Sequence, residues 1–137
     1  MSLVIDSSIT LAWFFGDERS DAADAVLRDV ADHGVIAPSL WRLEVANALQ
    51  SAIGRKRIDT EFRDGTLADL RALMVTIDLE TEMHAWATTL QLAERFGLTV
   101  YDAAYLELAQ RSSLPLATLD QELRSAAGAL GIRLLGL

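Results

Sequence analysis

Four carboxylic acids stand where their types and positions could do chemistry: Asp6, Glu44, Asp102 and Asp120. Asp6 directly follows the apolar run Leu3-Val4-Ile5, and Asp120 follows Leu116-Ala117-Thr118-Leu119. Each is therefore expected at the carboxyl end of a strand, where open α/β folds place their ligands. Each also reads as an Asx turn or a helix N-cap. Asp102 lies three residues after Thr99, a capping-box spacing that needs no chemistry. It also heads the stripe Tyr105, Leu106 and Ala109, so its side chain should turn toward a buried face. Glu44 is the most informative of the four. It falls on the apolar stripe of Trp41, Val45, Ala48, Leu49 and Ala52, inside the helix rather than at its end. A carboxylate facing a core needs a cation, a hydrogen-bonding network or a solvent-filled cleft, and Asn47, one turn on, could supply part of such a network.

If the four acids converge, their repulsion raises pKa values and destabilises the fold unless positive charge is supplied. A divalent metal does this economically, and carboxylate oxygens without nearby His or Cys suit Mg²⁺ or Mn²⁺ rather than Zn²⁺. Such a site activates water and stabilises a phosphate undergoing in-line displacement, which makes phosphodiester hydrolysis the expected reaction. The spacings of the four form no local motif, so only the fold can bring them together.

The elements that must do so alternate between short apolar runs and longer helical patterns, which predicts an α/β fold. Strands are expected at 3–5, 35–37, 75–77, 114–119 and 132–134. After the first strand a short apolar helix runs through Trp13. Ser20 is expected to cap a second helix whose buried stripe is Ala23, Val26, Leu27 and Val30. Pro38-Ser39 should open a third helix that Gly54 ends. Further helices are predicted over 59–73, Thr81 to Arg95, Thr99 to Gln110 and Gln121 to Leu130.

A chain of 137 residues with 51% hydrophobic and 23% charged residues fits one globular domain spanning 1–137. No apolar run is long enough for a membrane span, and no leader precedes the first acid, so a cytoplasmic location is expected. The absence of Cys excludes thiol nucleophiles and thiolate metal sites, and His33 and His84 offer little to histidine-centred catalysis. A net charge of −8 argues against gripping nucleic acid by bulk charge alone. Arg55-Lys56-Arg57 is the one compact basic run, readable as an RNA contact or as a solvated helix cap. Trp13, Phe14, Phe15, Trp41 and Trp86 read as core residues or as stacking and partner surfaces.

Taken together, Val4-Ile5-Asp6-Ser7-Ser8, Leu43-Glu44-Val45-Ala46-Asn47, Tyr101-Asp102-Ala103-Ala104-Tyr105 and Leu116-Ala117-Thr118-Leu119-Asp120 resemble, in order and over the whole chain, the PIN-domain nucleases. The likeness is greatest to the VapC-type toxins of toxin–antitoxin pairs. The resemblance implies a single Rossmann-like PIN domain, a central parallel sheet flanked by helices, and Mg²⁺- or Mn²⁺-dependent cleavage of single-stranded RNA. It also implies a homodimer and inhibition by a cognate antitoxin. It assigns the catalytic and metal-binding acids to Asp6, Glu44, Asp102 and Asp120, with Ser8 and Thr118 as supporting hydroxyls. Asp6 and Asp102 are the direct ligands by this likeness, Asp120 binds directly or through water, and Glu44 acts through water or as an orienting base. Many relatives carry Thr or Asn after the first Asp, where this chain has Ser7-Ser8. Two other readings compete: a catalytically degenerate PIN-like module that binds RNA or a protein, and a phosphate-accepting receiver-like domain. The latter needs a paired acid at the first strand and a late Lys, whereas the one lysine is Lys56.

Overall fold

The apolar run that begins the chain becomes the middle of a sheet. The computed structural model describes residues 3–137; Met1 and Ser2, the start of the segment in which no leader is expected, lie outside the described residues. In chain order the elements are β1 (Val4–Ile5), α1 (Ser7–Ala12), α2 (Asp21–His33), β2 (Ile36–Ala37), α3 (Trp41–Gly54), α4 (Thr60–Ala72) and β3 (Thr76–Ile77). A 3₁₀ turn (Thr81–His84), α5 (Thr88–Phe96), α6 (Val100–Ser112), β4 (Leu116–Ala117), α7 (Gln121–Ala129) and β5 (Leu134–Leu135) follow. The strands form one sheet in the order β3-β2-β1-β4-β5, and every pairing is parallel. Val4 sits in register with both Ile36 and Leu116.

This order has a consequence for function. From β1 the chain winds outward through β2 to β3, then returns to lay β4 and β5 on the other side. The direction reverses between β1 and β4, and their carboxyl ends border the crevice where doubly wound sheets bind ligands. Leu3, Val4, Ile5 and Leu116 are fully buried, as expected for strands covered on both faces. Ile9, Leu49, Leu106, Leu108 and Leu123 bring helices α1, α3, α6 and α7 onto them.

Local signals account for most boundaries. Ser20 caps α2 by accepting the Ala23 amide at 3.1 Å, and Asp59 caps α4 by accepting that of Phe62 at 2.8 Å. Ala23, Val26 and Val30 are buried, with Leu27 at the margin of the stripe. Gly97 ends α5 in the left-handed conformation at φ 66°.

Two expectations are corrected, the start of the third helix and the run from Thr81, while Gly54 ends the third helix as expected. The third helix begins at Trp41 rather than at Pro38-Ser39, so Glu44 lies in its first turn. Gly54 is its last residue, while the left-handed position that turns the chain away falls on Lys56 at φ 58°. The helix predicted from Thr81 to Arg95 is broken into the 3₁₀ turn and α5. Tertiary hydrogen bonds override the periodicity there: the Thr81 hydroxyl donates to Asp78 Oδ2 at 2.9 Å and accepts the Ser39 amide at 3.1 Å, tying the first turn to two loops.

Candidate active site

Asp6 follows β1 and caps α1. Its Oδ1 accepts the Ile9 amide at 3.1 Å and the Ser8 hydroxyl at 2.7 Å, and its Oδ2 accepts the Thr118 hydroxyl. Each of these hydroxyls spends its one proton on Asp6. Each then accepts an amide from the segment after β4: Leu119 to Ser8 at 2.9 Å and Asp120 to Thr118 at 3.0 Å. Ser8 and Thr118 thereby knit the ends of the two strands at the switch point, and Thr118 is fully buried. Arg124 holds the same edge by donating to the carbonyls of Thr118 at 2.7 Å and Leu135 at 2.9 Å. Burial of Asp6 outweighs the three hydrogen bonds, with Asp120 adding repulsion, and its carboxyl is pushed up to about 6.

Asp120 caps α7, with Oδ1 accepting the amides of Glu122 at 2.9 Å and Leu123 at 3.1 Å. No hydrogen bond among the described residues reaches its Oδ2. The Thr99 hydroxyl caps α6 by accepting the Asp102 amide at 3.1 Å. Asp102 itself is half-buried, and desolvation followed by the charge of Asp120 raises its pKa. The capping roles are therefore real for Asp6 and Asp120, and they leave a carboxylate oxygen over in the case of Asp120.

Glu44 has a different partner from the one expected. Asn47 is exposed and makes no hydrogen bond to it; instead Tyr105, from α6, donates its phenol proton to Glu44 Oε1. Desolvation raises the Glu44 pKa, the Tyr105 bond lowers it, and Asp102 raises it again. The phenol, buried and surrounded by Glu44, Asp6 and Asp102, is held well above its ordinary pKa and stays protonated. Helix α3 is also anchored toward Asp6. The Trp41 indole donates to the Thr10 hydroxyl at 3.0 Å, and Thr10 donates to the Asp6 carbonyl at 2.7 Å.

The fold thus brings all four acids into one electrostatic neighbourhood. Asp6 feels Asp120, Asp102 feels Asp120, and Glu44 feels Asp102. Each occupies the first turn or the N-cap of a helix, whose dipole favours negative charge. No Arg or Lys among the described residues acts on Asp6, Glu44 or Asp102. Likewise, no three Asp, Glu, His or Cys side chains among the described residues are gathered closely enough to enclose one ion. An oxygen-only donor set in this looser arrangement suits a hydrated Mg²⁺-like cation, which takes one or two carboxylates, keeps several waters and uses substrate phosphate oxygens.

Sequence reasoning passed over a second group of acids. Asp78, directly after β3, and Glu107, on α6, are both buried. Arg111 bridges them, with Nη2 2.6 Å from Asp78 Oδ2 and Nε 2.7 Å from Glu107 Oε2. Burial pulls the Asp78 pKa up, but Arg111 and Thr81 outweigh it and the net shift is downward. The Glu107–Arg111 spacing of four on one helix was the available signal. In the basic run, Arg57 pairs with Asp17 at 2.6 Å and lies over the Phe15 ring at 4.3 Å, so a structural role accounts for it. Trp13 and Trp41 are core, whereas Trp86 is 94% exposed.

Fold and site together define a small α/β domain with four acids in one electrostatic neighbourhood at the switch point of its sheet. The PIN domain matches residues 3–129, and the chain belongs to that family. It is similar to Ribonuclease VapC3 of Pyrobaculum aerophilum, with 29% identity over 130 residues that cover 95% of this chain and 98% of that protein. The crystal structure of PAE2754 from Pyrobaculum aerophilum shares the fold, with a TM-score of 0.65 and 21% identity over 92% of this chain and 84% of that one.

Proposed function

We propose that this chain is a Mg²⁺- or Mn²⁺-dependent endoribonuclease that cleaves single-stranded RNA and acts as the toxin of a toxin–antitoxin pair in the cytoplasm. One observation carries the reading. Four carboxylates coupled in a chain, three of them raised in pKa and with no Arg or Lys among the described residues acting on those three, stand at the switch point of a PIN domain similar along its length to a ribonuclease VapC. Asp6 and Asp102 would hold the cation, with Asp120 binding it directly or through water and Glu44 acting through water or as the orienting base. When bound, the cation supplies charge neutralisation at a phosphate oxygen and a more acidic water.

The chain's own residues prepare that chemistry. Ser8 and Thr118 fix both oxygens of Asp6, so the carboxylate is oriented before anything binds. The cap on α7 commits Asp120 Oδ1 and leaves Oδ2 without a hydrogen bond among the described residues. Glu44 keeps Oε2 free to orient a water at the reacting phosphate. The test is cleavage of a single-stranded RNA with Mn²⁺, with chelator, and by Asp6→Asn and Asp102→Asn chains shown to be folded. Loss in all three supports the reading, and cleavage indifferent to chelator or to both substitutions overturns it.

The looseness of the acid cluster favours a second reading, a degenerate module that binds RNA or protein without catalysis. Titration calorimetry with Mn²⁺ separates the two, since such a module shows no Mn²⁺ site. We also propose a homodimer and a cognate antitoxin. Leu79, Met83 and Trp86 are 92%, 73% and 94% exposed on one short segment, an apolar surface that supports a partner. A net charge of −8 supports a basic antitoxin segment entering the acidic crevice. A monodisperse monomer in light scattering, for the chain made alone, counts against the dimer. Among the described residues no helix is long and apolar enough to cross a membrane.

A further inference from the structure

We propose that Tyr105 is a positioning residue for this site: its phenol O–H, delivered from α6, fixes Glu44 Oε1 so that Oε2 is the oxygen presented to the reacting phosphate and its cation. The proposal rests on the nuclease reading above and goes beyond it, because Tyr105 belongs to none of the four acids or their hydroxyl supports.

The geometry separates two ways of holding a carboxylate. Asp6 is gripped on both oxygens by hydroxyls and an amide. Glu44 is longer by a methylene and half-exposed, and its one hydrogen bond among the described residues comes from Tyr105. Without that donor its side-chain torsions have nothing to settle them, and a freely rotating carboxylate loses much of its value as a positioned group. Tyr105 is itself immobile: its side chain is 1% exposed, and it sits on a helix whose neighbouring residues Ala104, Leu106 and Ala109 are buried. A buried phenol O–H must find an acceptor, and here it has taken a carboxylate that no backbone amide among the described residues reaches. The Trp41–Thr10–Asp6 chain fixes the start of α3 from the other side, so the backbone below Glu44 is set independently of Tyr105. Removing the phenol oxygen therefore frees the side chain and leaves the helix in place.

The decisive variants are Tyr105→Phe, which removes only the donor, and Glu44→Asp, which keeps the charge but withdraws it from the donor. Each is measured alone, and Tyr105→Phe also in the Glu44→Gln background, by RNA cleavage, by calorimetry with Mn²⁺ alone and by urea unfolding. Expected are a drop in kcat of about tenfold or more with KM for RNA unchanged, and severalfold weaker Mn²⁺ binding. Tyr105→Phe should behave the same way as Glu44→Asp. In the Glu44→Gln background Tyr105→Phe should cost nothing further, because no carboxylate remains to be held. A purely structural tyrosine would instead lower the unfolding midpoint and reduce cleavage equally in both backgrounds, and that result overturns the proposal. Wild-type kcat and Mn²⁺ affinity in Tyr105→Phe overturn it too. If Tyr105→Phe does not fold, Glu44→Asp decides alone, with wild-type kcat counting against. If the unmodified chain neither cleaves RNA nor binds Mn²⁺, the nuclease reading fails and this proposal falls with it, a result distinct from an active parent with an equally active Tyr105→Phe.

Discussion

Two groups of acids in this domain are built to opposite plans. Around Arg111, two buried carboxylates share one guanidinium, and Asp78 is held below its ordinary pKa. Around the switch point, no Arg or Lys among the described residues acts on Asp6, Glu44 or Asp102, and all three are held above their ordinary pKa. The first group is complete within the chain and ties the loop after β3 to α6. The second has no such cation, and its hydrogen bonds do not outweigh the cost of desolvation and mutual repulsion. The contrast shows which acids serve the fold and which are exposed to selection for something else: a carboxylate left expensive at a crevice is a candidate for function.

Four measurements break or sharpen the comparison. The largest effect is expected from Arg111→Met, which strands Asp78 and Glu107 without their cation and should cost about 3 kcal/mol in urea unfolding. A loss below about 1 kcal/mol would erase the distinction between the groups. Next, Mn²⁺ at roughly one hundred times its dissociation constant should raise unfolding stability by about 2.7 kcal/mol. Asp102→Asn should abolish that gain while Arg111→Met keeps it.

Third comes pH. Between the ordinary carboxyl pKa of 3.8 and about 6, the folded state binds a proton at Asp6 that the unfolded state has released. Stability therefore falls as pH rises through that window and levels off above it. Asp6→Asn should be more stable than the parent by about 2 kcal/mol at pH 7 without metal, and the advantage should vanish near pH 4. Asp78 works the other way: its lowered pKa gives stability that is present above 3.8 and lost as pH falls further. An Asp6→Asn chain with no advantage at pH 7 would show that its hydroxyl partners fully offset its burial. The smallest effect belongs to Trp41→Phe, which removes the indole donor to Thr10 and should cost about 1 kcal/mol, with cleavage reduced more than Mn²⁺ binding.

Much of this was legible in the residues. The strand β1, the cap Ser20, the buried stripe of α2 and the order of helices and strands follow from local preferences that the tertiary structure reinforces. The misreadings share one cause. The helix expected from Thr81 breaks because Thr81 is bonded to Asp78 and Ser39, the latter 42 positions away, and no window of sequence contains that bond. Asn47 was the natural partner for Glu44 by helical spacing, but Tyr105 lies 61 positions on and reaches it across two packed helices.

The amino-acid sequence by itself determined the α/β alternation, the identity of the four acids and the absence of any thiol chemistry, because periodicity and residue type act over short range. Only the tertiary structure decided which acids are paid for by Arg111 and which are left unneutralised. That outcome depends on distances between α3, α6 and the ends of β1, β3 and β4, and these are set by the parallel sheet order rather than by any local spacing.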